Sequence, residues 1–342
     1  MNLNQTVNVS LLVDEPYILI LSVAIILSII FISSILLNII SLRSILNQKE
    51  LTIINTLILN LALADLTYTL GIPFFIYQLF WHNWLLGKSG CQLFILFEFA
   101  GIIVGTFTIC ALSIERYFDV TKNIKKSIDK YSNKFKIFIT FLYLFILWSL
   151  AITYIIPFVI SIDLFHEGST DVCNSKWSDK SLRYYFLIKF LTMFLVPFSI
   201  ILWCSVKILI FLLKWKINSN CKSRSIFSMI LNSSPNHEMC KQLIKIEHNE
   251  DRNNYQTLVC NISVRTKKIK ISYLNSIRRK AICLVMLIVV VFLIQWSPLW
   301  VLQFLVLFSE DQFKNIQIMN MLSSTLSYSN TIANPLIYII CT

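Results

Sequence analysis

Seven long apolar runs set the limits on what this chain can fold into. They fall at about 17–42, 52–80, 90–118, 135–160, 184–213, 279–308 and 315–341. A helix needs about 20 residues to cross the hydrocarbon core of a bilayer, and every run reaches that length. The apolar residues within each run are continuous rather than alternating. That favours helices, which satisfy their own backbone groups in lipid, over the strands of a barrel. Composition agrees, because only 14% of residues are charged, where a soluble domain carries about a quarter. The expected fold is an all-α membrane protein, a seven-transmembrane helix bundle over 17–341 behind a polar tail at 1–16. No internal repeat of the kind that marks many transporters is visible.

Lysine and arginine orient the bundle. With the N-terminus outside, the inner loops collect Arg43, Lys49, Lys122, Lys125, Lys126, Lys130, Lys134 and Lys136, and 14 more between about 214 and 280. The outer loops hold Lys88, Lys176, Lys180, Arg183 and Lys314. This is a positive-inside pattern. It accounts for the net charge of +12, which therefore marks topology and not a nucleic-acid site. The outer face is mildly acidic, with Asp14, Glu15, Asp163, Glu167, Asp171, Asp179, Glu310 and Asp311. A multi-pass protein of the plasma membrane with an extracellular N-terminus is expected. Its first run serves as signal anchor, since no basic segment precedes a short apolar core.

The tail carries two glycosylation sequons, at Asn4 and Asn8. Of nine cysteines, only Cys91 and Cys173 fall outside, and an oxidising compartment favours joining them. That bond would tie the second outer loop across the mouth of the bundle. The long inner loop at about 216–275 is rich in Asn, Ser, Lys and Ile; such a segment is expected to be mostly disordered.

Polar residues inside the apolar runs narrow the class. The second run reads "LNLALADL" with Asp65, the third ends in Glu115-Arg116-Tyr117, and the fourth holds Trp148. The fifth holds Pro197, the sixth reads "QWSP" with Trp296 and Pro298, and the seventh reads "NPLIY" with Asn334, Pro335 and Tyr338. Taken together and in order, these resemble the rhodopsin-like G-protein-coupled receptors over nearly the whole chain. "GIPFFIYQLFWHNWLLGKSGC", "WSPLWVLQF" and "LSYSNTIANPLIY" resemble the somatostatin, opioid and melanin-concentrating-hormone receptors.

The resemblance implies roles residue by residue. Arg116, paired with Glu115 at rest, would be freed by movement of the sixth helix to meet a heterotrimeric G protein, with Tyr117 beside it. The alternative is that Arg116 merely snorkels to lipid headgroups. Trp296 and Pro298 resemble an aromatic switch on a proline kink, and Asn334, Pro335 and Tyr338 its counterpart on the seventh helix. Asp65 with Asn330, Thr331 and Asn334 resembles the site that holds an allosteric sodium ion in relatives. Gly105 stands where a serine ligand is expected, Ser205 where a tyrosine is usual, Asn123 where a proline is usual, and Arg278 where some relatives carry an acid. No other cofactor is implied.

The expected ligand is an extracellular peptide with a basic group. Glu98 lies seven residues after Cys91, where related receptors place an aspartate. Glu98 and Arg116 are 18 residues apart, five helical turns at 3.6 residues each, so they share one face of the third helix. Tyr328 and Gln303 should line the same cavity. Lys189 lies in the upper bundle as well, and pairing with Glu98 would leave no free acid for a ligand. A biogenic-amine receptor using Glu98 as counter-ion is the second reading, but Lys189 stands where a serine cluster would. An opsin needs a lysine in the seventh helix, and residues 315–342 have none. An enzyme is not expected, because His82, His166, His237 and His248 all lie in loops.

Overall fold

In the computed structural model, residues 17–48, 51–81, 83–125, 133–167, 170–211, 287–306, 308 and 316–341 are described. The expected glycosylation sites Asn4 and Asn8, the long inner loop, and His82, His237 and His248 lie outside these residues. Contacts divide the chain into two compact units, one of residues 1–205 with 285–340 and one of residues 206–284. The sites described below belong to the first.

The apolar runs form the helices α1 (Tyr17–Leu46), α2 (Ile53–Trp81), α3 (Gly87–Lys125), α4 (Asn133–Ser161), α5 (Asp179–Phe211) and α6 (Leu287–Val306). The seventh, α7, comes in two pieces, Ile316–Tyr328 and Asn330–Cys341. Several helices outrun their apolar cores. α1 continues to Leu46 and takes Arg43 into its last turn, where a cation suits the helix dipole. α5 starts at Asp179 rather than at the apolar run, because the Ser178 hydroxyl caps the Ser181 amide at 3.4 Å.

The surface is inverted relative to a soluble protein. Large apolar side chains face outward, as with Phe145 at 71% exposed and Ile29, Ile32 and Leu36 along α1. Buried positions include Ser34, Asn38, Asp65, Thr69 and Thr331. A patch of this extent suits lipid rather than water. α2 packs along α3 and α1, and α3 along α4. Gly101 permits the α2–α3 approach, since a Cβ there would sit 2.7 Å from the Tyr68 amide nitrogen.

Prolines inside the helices leave carbonyls to be satisfied. Pro73 cannot donate to the Thr69 carbonyl, and α2 breaks at Leu70. Pro197 cannot donate to Met193, and α5 widens into a π-turn at Leu191–Leu195. Pro335 cannot donate to Thr331, whose carbonyl instead accepts the Asn38 side-chain amide of α1 at 3.0 Å.

One element goes beyond the helical expectation. Between α4 and α5, Ile162–Glu167 (β1) and Thr170–Ser175 (β2) pair antiparallel, with Leu164 opposite Cys173. His166, expected in a loop, lies on β1 and pairs with Asp171 on β2. The expected Cys91–Cys173 disulfide joins β2 to the first turns of α3, with Cα atoms 6.0 Å apart. The Trp84 amide donates to the Asp171 carbonyl at 2.8 Å, and the Asp171 amide to the Asn83 side chain at 2.8 Å. At the hairpin base, Asp163 pairs with Lys176 and, at 3.2 Å, with Lys88. The Lys176 ammonium, the Leu164 N–H and the Lys88 ammonium together hold the Asp163 carboxyl down to about 2.

Candidate functional site

At the hairpin end of the bundle, Glu98 on α3 keeps partial access. Its Oε1 accepts the Tyr328 hydroxyl at 2.9 Å. Tyr328 is 1% exposed, so its phenol is fixed in place. Its ring stacks on Tyr68 with centroids 4.6 Å apart, and the Tyr68 hydroxyl shares a hydrogen bond with Ser327 at 2.9 Å. Gly71, one residue past the α2 break, makes room for the phenol. A Cβ there would lie 2.9 Å from the Tyr328 oxygen. Sequence reasoning named Glu98 and Tyr328 but missed Tyr68, Ser327 and Gly71. The one available signal for Gly71 was its place two residues before Pro73.

Lys189 and Glu98 lie within electrostatic reach of each other, but no hydrogen bond or ion pair joins them among the described residues. Its ammonium sits 3.4 Å from the Phe99 ring centroid, 5.3 Å from Phe186 and 6.0 Å from Trp300. Lys189 is 5% exposed. On α6, Trp296, Trp300 and Gln303 follow helical spacing and share one face. Trp296 Nε1 and Gln303 Oε1 are buried without hydrogen-bond partners among the described residues. Below them Phe292, Phe194 and Phe198 stack, with Phe292 6.4 Å from Trp296.

Deeper in the bundle, the Asn334 amide donates to both Asp65 oxygens, at 3.0 and 3.1 Å. The Asn38 amide reaches the Ser34 carbonyl at 2.9 Å as well as that of Thr331. The Thr331 hydroxyl donates to the Tyr328 carbonyl at 2.9 Å. A narrow cavity nearby is lined by Ile109, Ile288, Phe292, Asn330, Asn334 and Tyr338. Among the described residues no three of His, Cys, Asp or Glu come together, so a multivalent ion has no cage there. One carboxylate with amide and hydroxyl oxygens fits the donor preference of a small hard monovalent cation. Gly105 contributes no oxygen, and a Cβ added there would meet Ala64 at 3.8 Å.

These polar centres sit in order along a bundle whose sequence matches the model of the 7 transmembrane receptor (rhodopsin family) over residues 37–338. The chain belongs to that family. It is a family of receptors and not of enzymes. Galanin receptor type 1 of Mus musculus is 31% identical over 176 residues, 50% of this chain and 49% of its own length. Somatostatin receptor type 1 of Rattus norvegicus is 24% identical over 294 residues, 85% of this chain and 60% of its own length. Neuropeptide receptor npr-1 of Caenorhabditis elegans is 24% identical over 308 residues, 85% of this chain and 63% of its own length. The matched region thus spans about half to three fifths of these relatives.

The far end of α3 carries Glu115, Arg116 and Tyr117, all three half-buried. Arg116 Nε is enclosed without a hydrogen-bond partner among the described residues. Tyr338 on α7 is buried and within electrostatic reach of both Arg116 and Asp65. The Tyr117 ring lies 5.6 Å from Trp203 of α5, and the Ser205 hydroxyl turns back to the Ile201 carbonyl at 2.7 Å. Eighteen residues of helix put Arg116 about 27 Å from Glu98 along α3. Sequence reasoning also missed a contact that joins α6 to α7. The Gln295 amide of α6 donates to the Ser329 hydroxyl at 2.9 Å, at the point where α7 breaks.

Proposed function

We propose that the chain is a plasma-membrane receptor that binds an extracellular neuropeptide through a basic group at Glu98 and signals to a heterotrimeric G protein from the Arg116 end. The observation that carries this reading is the 2.9 Å bond from Tyr328 to Glu98. It orients a partly accessible carboxylate in the bundle interior and leaves most of its acceptor capacity unused. The positive-inside pattern supports an outer N-terminus. The names of the galanin, somatostatin and neuropeptide receptors support a peptide over an amine, as does Lys189 on α5.

Binding at the hairpin end would act by biasing a two-state element. A ligand shifts such an equilibrium only by its differential affinity for the two states. Trp296 and Pro298 on α6, and Asn334, Pro335 and Tyr338 on α7, would connect the Glu98 end to Arg116. Asp65, Asn330, Thr331 and Asn334 are the residues that would hold sodium, which supplies charge balance for the buried carboxylate.

The test is a peptide screen on cells expressing the chain, read by G-protein dissociation, calcium and cyclic AMP, followed by Arg116→Ala. The variant should bind the cognate peptide normally and fail to activate. Normal signalling from Arg116→Ala at normal surface density would overturn the assignment of the second end.

A further inference from the structure

Lys189 is a buried lysine whose ammonium is in contact with no carboxylate of the described residues; Glu98 lies within electrostatic reach of it but forms no ion pair. Among the described residues its ammonium makes no hydrogen bond and no ion pair. Three aromatic faces surround it, with Phe99 in direct contact. Attraction to ring faces recovers only part of what dehydrating an ammonium costs. The nearest acid, Glu98, is turned elsewhere. Successive helical residues point about 100° apart, so Glu98 meets Tyr328 of α7 while Phe99 meets Lys189 of α5. The two opposite charges thus stand on different walls, within electrostatic reach of each other but without direct contact. On the α6 face that carries Trp300, Gln303 has a buried oxygen without a hydrogen-bond partner among the described residues.

We infer that Lys189 is a second, anion-selecting subsite, and that the ligand is dipolar, with a carboxylate for Lys189 set apart from a basic group for Glu98. This deepens the receptor reading and rests on it. A ligand carboxylate that reached Lys189 would find an ammonium already stripped of water. The Phe99, Phe186 and Trp300 faces exclude solvent around that contact. The Gln303 oxygen, on the α6 face that carries Trp300, would accept a ligand N–H. A ligand with only a basic group would satisfy Glu98 and leave Lys189 as it stands in the structure.

The experiment uses the full chain in phosphatidylcholine nanodiscs and a library of synthetic hexapeptides. Each peptide is acetylated, amidated, and carries one arginine and one aspartate as its only charges. Each is also made with asparagine for the aspartate and, separately, with citrulline for the arginine. The expected hits weaken at least tenfold in the asparagine form. Lys189→Met should remove that difference, so that both forms bind alike, and Lys189→Arg should keep it. Equal binding of the aspartate and asparagine forms to the unaltered receptor overturns the inference, and so does a difference that survives Lys189→Met. Because the first comparison needs no variant, it decides even if Lys189→Met fails to fold. Loss in the citrulline form without loss in the asparagine form keeps the Glu98 reading and overturns this one. The reverse pattern keeps the Lys189 subsite and overturns the Glu98 reading. A library without a single binder overturns both.

Discussion

Glu98 and Asp65 are carboxylates facing the same bundle interior, yet one is held open and the other closed. Glu98 accepts one hydrogen bond, from Tyr328, and keeps partial access. Asp65 accepts from Asn334 at both oxygens and is 4% exposed. A carboxylate offers about four acceptor sites, so what separates them is how far the protein has already spent that capacity. The open acid is suited to an external partner. The closed one ties α2 to α7 and suits a role in holding a state.

The largest expected effect tests the open acid. Glu98→Gln keeps the shape and removes the charge, and losing one partner of a buried charged contact costs about 2–5 kcal/mol. Potency of a basic peptide should therefore fall by tens of times or more, while Asp65→Asn leaves its affinity within a few-fold. Competition binding at matched surface density measures both. Equal losses would erase the distinction between the two carboxylates.

Stability should show the opposite order. Asp65→Ala strands the Asn334 amide, and an unsatisfied buried donor costs about 1–3 kcal/mol. Glu98→Gln still offers an oxygen to Tyr328, so it should melt closer to the unaltered receptor. A thermal melt of the purified variants that ranked Glu98→Gln as the more damaging would reverse the comparison.

A smaller effect sharpens how Glu98 is held. Gly71→Ala drives a methyl group against the Tyr328 hydroxyl, and Tyr328→Phe removes the same bond. Each should reduce peptide affinity several-fold, and the double variant should lose little more than either single, because residues in one contact are not additive. Additive losses would mean that Gly71 acts through something other than the phenol.

The smallest effect concerns a third carboxylate, Asp163, which faces water. Its folded pKa lies below the ordinary value of about 3.9 for aspartate, at about 2. The brace it forms is therefore fully present above the unfolded value and is lost as pH falls from about 4 through 2. Hydrogen-exchange protection factors at the Trp84 and Lys176 amides should stay unchanged from pH 7 to 5 and fall only below about 4. Loss of protection already at pH 6 would show that Asp163 is not what holds the brace.

The sequence revealed these carboxylates unequally. Asp65 was legible because an acid in a continuous apolar run is costly and local, and Glu98 because related receptors carry an acid seven residues after the outer cysteine, with its whole-turn spacing from Arg116 in support. The spans were legible for the same local reason, and the Cys91–Cys173 bond from topology. The partners were not. Tyr68, Gly71 and Ser327 come to Glu98 and Tyr328 only because α2 breaks at Leu70 and α7 at Ser329. How far each break swings a helix depends on what receives the freed carbonyl, which apolarity does not encode. Lys189 could be placed at the right height, but whether it met Glu98 or Phe99 turned on the rotation of α5 about its own axis. The β1–β2 hairpin escaped because its residues are neither a continuous apolar run nor a clean alternation.

The Asn38 contact has a mechanical consequence. Pro335 leaves the Thr331 carbonyl free, and a side chain of α1 holds it. A joint in one helix is thereby anchored to a neighbour that supplies none of the pocket residues and faces lipid along most of its length. Any rotation of α7 below Ser329 must either carry α1 along or let go of it. The first helix thus works as a fixed post that meters how far the seventh can turn, and Asn38→Ala should loosen that limit without touching the ligand.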